Sequence, residues 1–132
     1  MSEDWTVGYW TPAHAAVEQE DTGTLARLLA EGVDPDEVCG GLTLLTHAID
    51  AEGDGTLQSR TPLTVHTTAV LLAFGADPEL PDPDGRTPMA VACHYGHGPA
   101  IGLLRAHIER RATEGRGARR AFRPSGRPST GR

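Results

Sequence analysis

A chain of 132 residues with a formal net charge of −6, 38% hydrophobic and only 5% aromatic residues has material for one small domain, whose core must rest on Leu, Val and Ala. No stretch approaches the roughly 18 apolar residues of a membrane span, and Met1–Trp10 carries Glu3 and Asp4 where a secretory signal has positive charge and then an apolar run. Two cysteines do not make a disulfide framework, so the chain reads as a cytoplasmic protein without a membrane partner.

The first ten residues hold Trp5, Tyr9 and Trp10, three of the six aromatics. They read as a cap on the open end of the domain, or as an exposed hot spot of the kind aromatic side chains favour. Thr11-Pro12 then starts a helix: Thr supplies an N-cap and Pro a pre-set first turn. That helix carries His14, Ala15 and Ala16, and Asp21-Thr22-Gly23 turns the chain into a second one with Leu25, Leu28 and Leu29. Gly32 stands where a helix needs a left-handed C-terminal residue, and Asp34-Pro35 forbids continuation. A turn comes next at Asp36-Glu37-Val38-Cys39-Gly40-Gly41.

The same grammar starts again at Thr43-Leu44-Leu45-Thr46-His47-Ala48 and closes at Gly75-Ala76-Asp77-Pro78, but this unit is eleven residues longer. The excess falls at Glu52–Arg60, whose Gly, Asp and Ser predict a loop near 52–63, with Thr61-Pro62 entering a second helix that reaches Phe74. A second turn spans Glu79–Arg86 and includes Asp82, Asp84, Gly85 and Arg86. Thr87-Pro88 opens a third unit, with Gly96-His97 between its helices and Leu103-Leu104 beyond. Repetition at this spacing predicts a stack of helix pairs.

These residues resemble the ankyrin repeat, which runs Thr-Pro-Leu-His-x-Ala-Ala, a Gly-His turn, a Leu-Leu pair, Gly-Ala-Asp and an Asp-x-x-Gly tip. The resemblance covers roughly residues 11 to 107 and implies an all-α solenoid of about three helix pairs, as in a short bacterial ankyrin-repeat protein. Residues 1–10 become an N-terminal cap segment, 11–108 the repeat domain (about 11–42, 43–85 and 86–108), and 109–132 a basic disordered tail. The motif positions are Thr11, Pro12, His14, Gly32, Asp34, His47, Gly75, Asp77, Gly85, Thr87, Pro88, Gly96 and His97. In the family, histidines at the positions of His14 and His47 brace neighbouring repeats by hydrogen bonds.

Chemistry finds little purchase. Cys93 and His97 share a helical face at i, i+4, yet zinc needs three or four ligands, and Cys93 falls in a small-residue slot that implies burial. There is no Gly-x-Ser-x-Gly elbow and no phosphate-cradling glycine loop, so no catalytic residue, metal site or cofactor is expected and the chain is not an enzyme.

Charge is divided unevenly: 16 acidic residues face four arginines up to residue 108, whereas residues 109–132 hold eight arginines and two acids. The turns and first helices should therefore present an acidic face to another, basic, protein, with Trp5, Trp10, Asp36, Glu37, Asp54, Asp82, Asp84 and Arg86 as candidate contacts. Two alternatives stand beside that reading: an immunity or antitoxin protein covering a basic bacterial toxin, and a nucleic-acid-associated factor acting through the arginine-rich tail. A monomer is expected.

Overall fold

The computed structural model describes residues 10–59 and 63–122. Trp5 and Thr61-Pro62 lie outside the described residues, as do residues 123–132. Six helices and one short hairpin are present among the described residues: α1 (Pro12–Glu18), α2 (Thr22–Ala30), β1 (Val38–Cys39), β2 (Leu42–Thr43), α3 (Leu44–Ser59), α4 (His66–Ala73), α5 (Pro88–Tyr95) and α6 (Gly98–Phe122). They form two rows. The inner helices α1, α3 and α5 pack side by side, the outer helices α2, α4 and α6 do the same, and each inner helix packs on its own outer partner.

Capping explains the boundaries. The Thr11 and Thr87 hydroxyls accept the N–H groups of His14 (3.3 Å) and Ala90 (3.1 Å), with proline at the first helical position in both cases. Helices α2, α4 and α5 end in the same Schellman turn: Gly32, Gly75 and Gly96 take positive φ, and the next amide reaches back to Leu28, Leu71 and Ala92. Helix α1 ends in that geometry too, with Asp21 N–H on the Ala16 carbonyl, but here the left-handed residue is Glu20 at φ 55°. Glu20→Gly should therefore stabilise the domain by about 0.5–1 kcal/mol, relief of left-handed strain outweighing the added unfolded-state entropy. A rise in thermal midpoint checks this.

Between the first and second helix pairs the chain makes a two-residue hairpin, with Val38 opposite Thr43 and Cys39 opposite Leu42. Its tip is Gly40-Gly41, both at positive φ as a type I′ turn requires. The core lies between the two rows: Ala13, Ala16 and Val17 meet Leu25 and Leu29, then Leu44, Leu45, Ala48 and Ile49 meet Leu71 and Leu72, and Val91 and Ala92 meet Ala100 and Leu104. Leu28, expected in this core, is only partly buried on its edge.

Three boundaries differ from those expected of the sequence. The segment expected to be a loop near 52–63 is helical to Ser59, because Glu52 and Gly53 are buried and hold the extra turns of α3 against the third repeat. Gly53 serves packing: a Cβ there would collide with the Tyr95 ring. The second helix of that repeat starts at His66. Finally, α6 runs on to Phe122, so the boundary expected at residue 109 falls inside a helix; no proline interrupts the sequence from Ala100 to Phe122, and Ala, Arg and Glu favour helix there.

Candidate functional site

Two polar clusters tie the repeats together, and they decide which acidic side chains remain for recognition. In the first, His14 of α1 and His47 of α3 are fully buried with their Nδ1 atoms 2.9 Å apart. The Nε2 of His14 lies 3.0 Å from the Glu37 carbonyl, and that of His47 lies 2.7 Å from Oε1 of Glu18. A carbonyl only accepts, so His14 Nε2 carries a proton, and neutral His14 then accepts at Nδ1 from the Nδ1–H of His47. Trp10 covers both rings, with centroids 5.7 Å from His14 and 4.4 Å from His47.

Burial, aided by the neighbouring His47, pulls the His14 pKa down to about 4 despite the Glu37 carbonyl. The unfolded chain, with His14 near 6.5, binds the proton first, so stability supplied by neutral His14 is present above pH 6.5 and lost as pH falls towards 4. Protonation also places two N–H groups face to face. Native protein should lose about 2 kcal/mol more than His14→Gln between about pH 7 and about pH 4, solvent at the edge of the pair trimming the full linkage value. Urea titrations at the two pH values measure the difference.

The second cluster centres on Glu52, which is buried on α3. Its Oε2 accepts the Thr68 backbone N–H (3.1 Å), and its Oε1 accepts the Thr68 hydroxyl (2.8 Å) and His97 Nε2–H (2.8 Å). Val65, the N-cap of α4, offers no side-chain bond, so a carboxylate from another helix caps α4 in its place. The other nitrogen of His97, Nδ1, accepts Ala100 N–H at the start of α6. Burial raises the Glu52 pKa, against which the Thr68 and His97 hydrogen bonds work.

The turns are more structural than their composition suggests. Asp36 accepts the Asp77 amide (2.8 Å) across repeats, and Asp77 accepts from Glu79 N–H and Arg111. Asp82, expected as a partner contact, is buried: it accepts the Asp84 and Arg86 amides and pairs with Arg86 Nε at 3.1 Å. This corrects its surface assignment, since an Asp-x-x-Gly tip uses its aspartate to hold its own backbone. Asp82→Ala should cost about 1–3 kcal/mol, whereas exposed Asp84→Ala should stay within about 0.5 kcal/mol, a contrast read in one pair of denaturation curves. Glu37 is half-buried under Thr11, whose hydroxyl reaches its Oε1 at 3.1 Å. Cys93 is exposed rather than buried, while His97 of the same motif points into the Glu52 cluster.

Further carboxylates lie on and beside the inner helices α1 and α3. Glu18 and Glu20 stand at the end of α1, and the Glu20 carboxylate lies alongside Gly55 of α3, 3.6 Å from where a Cβ would sit. On the same helix Asp50 accepts the Tyr95 hydroxyl at 2.6 Å, and Asp54, next to Gly55, lies close enough to act on the same phenol. Burial first, then Asp50 and Asp54, push the Tyr95 pKa up to about 12. At the edge of this row Asp84 approaches the Gly41 tip, with Arg86 half-exposed beside it. Among the described residues, no group of three or more His, Cys, Asp or Glu is arranged to hold a metal ion, and no helix is long and apolar enough to cross a membrane.

Stacked helix pairs joined by tips of this geometry recur in solved structures. A crystal structure of an ankyrin repeat domain from Acinetobacter baumannii superposes with a TM-score of 0.62 at 32% identity, over 75% of this chain and 48% of that one. The chain carries an ankyrin-repeat domain. It is also 34% identical to tyrosine-protein kinase HTK16 of Hydra vulgaris over 101 residues, which is 74% of this chain but 12% of the kinase. The sequence matches no protein-family model. The ankyrin-repeat architecture is that of a protein–protein interaction module. Of the expected contacts, Asp54, Asp84 and Arg86 lie along the inner face and its edge, Trp10, Asp36, Glu37 and Asp82 serve the scaffold, and Trp5 falls outside the described residues. The structural duty of Glu52 was missed, because nothing local in the sequence pairs it with Thr68 and His97.

Proposed function

We propose that this ankyrin-repeat protein is a non-enzymatic module that captures a basic protein on the acidic inner face formed by Glu18, Glu20, Asp50 and Asp54. The observation that carries this reading is the convergence of four carboxylates from α1 and α3 on one surface, beside two polar clusters whose groups are already engaged with one another. Aligned carboxylates of one sign raise the encounter rate with a positive surface and discriminate against acidic partners. His14, His47 and His97 are consumed in bracing the repeats, which favours binding over catalysis.

The test compares two baits in the host extract, the native chain and Glu20→Gln/Asp54→Asn. A basic protein retained by the first and lost from the second supports the proposal. Equal retention by both, or retention of acidic proteins, would mean that the inner face is not the binding surface.

A further inference from the structure

Helix α6 is 25 residues long, far more than the other outer helices need, and its final half has a different character from its first. Ala100 and Leu104 are buried in the stack, whereas Glu109 to Glu114 are all exposed. Arg111 reaches Asp77 at 3.1 Å, and beyond it the helix continues for about 16 Å at 1.5 Å per residue. This stretch carries Arg116, Arg119 and Arg120 against the single acid Glu114, in a chain whose first 108 residues hold 16 acids and four arginines. Because α6 belongs to the outer row and is continuous, it cannot turn back to the acidic inner face of its own molecule.

We infer that the basic extension of α6, from Ala112 to Phe122, docks on the acidic inner face of a second copy of this chain. This rests on the binding face proposed above and names one partner for it. The reasoning is complementarity of both surfaces at once: a second copy supplies cations to Glu18, Glu20, Asp50 and Asp54 and an acidic surface to the arginines. A nucleic acid would satisfy the helix alone and leave the carboxylates without a basic partner. The contact uses different surfaces on the two molecules, so one molecule can engage two others or exchange extensions reciprocally with one. Concentration-dependent assembly replaces the monomer expected from the sequence.

Sedimentation of the 132-residue chain tests this with two variants, Arg116→Ala/Arg119→Ala/Arg120→Ala, which keeps or raises helix propensity, and Glu20→Gln/Asp54→Asn. Unchanged circular dichroism and thermal midpoint establish that each is folded. Native protein should assemble with rising concentration at about 50 mM salt and bind itself at least roughly tenfold more weakly at about 300 mM. Each variant alone should remain monomeric. An equimolar mixture of the two should form dimers and nothing larger, because each contributes one competent surface. A mixture that stays monomeric, or variants that assemble like the native chain, overturns the inference, as does native protein that is monomeric at low salt while its helix binds a single-stranded DNA oligonucleotide. Those failures leave the capture of a different basic protein intact, because the two baits carry the same arginine extension and differ only at the inner face.

Discussion

Glu52→Ala is expected to lower the unfolding free energy by about 3–5 kcal/mol, because deleting the buried carboxylate leaves three hydrogen-bond donors unsatisfied at about 1–3 kcal/mol each. The mutation leaves the Thr68 amide, the Thr68 hydroxyl and His97 Nε2–H facing a dry cavity. It also uncaps α4, whose own N-cap Val65 has no side-chain bond to offer. Glu52→Gln should cost less but not nothing. An amide NH2 aimed at His97 Nε2 forces the ring to move its proton to Nδ1, where it then opposes the Ala100 N–H that starts α6. A falling urea midpoint in the order native, Gln, Ala is the expected record. Indifference of the midpoint to both substitutions would mean that Glu52 does not join the second and third repeats.

Leu71→Ala is expected to cost about 2–5 kcal/mol, the usual outcome of truncating a buried leucine whose cavity cannot collapse. Leu71 is fully buried and its carbonyl also closes the Schellman turn through Ala76 N–H, so the surrounding backbone is poorly placed to relax. Against a total stability of about 5–15 kcal/mol for a domain, that is enough to populate unfolded chain at moderate temperature. Leu28→Ala is the comparison. Leu28 holds the equivalent place in the first repeat but is only partly buried. Its truncation should cost less than half as much, by calorimetry on both proteins.

That asymmetry shows where sequence grammar is sufficient. Thr11, Thr87, Gly32, Gly75 and Gly96 act through their own neighbours, within one turn of chain, and so could be read directly. Glu52 to Ser59 could not. Their glycines, aspartate and serine signal a loop locally, but Gly53 is there to admit Tyr95 and Glu52 to reach Thr68 and His97, partners 16 and 45 residues away. Long-range packing overrode local propensity. Asp82 misled differently: as a charged residue in a Pro- and Gly-rich turn it looked solvated, although the Gly85-Arg86 just beyond it lets the turn close on its carboxylate. The surplus of acidic residues in the repeats was legible in composition. Their arrangement was not, since Glu18 is partly committed to His47 and Asp50 to Tyr95 while Glu20 and Asp54 are placed by the packing of α1 on α3.

The proposed function turns on the acidic inner face being the place where a basic partner is held. Amide chemical-shift mapping with an arginine-rich peptide reads it residue by residue. The prediction is a contiguous set of shifts at Glu18, Glu20, Asp50 and Asp54 on α1 and α3, shrinking as salt is raised past about 300 mM. Shifts confined to the outer helices α2, α4 and α6, or none at any salt concentration, would contradict it.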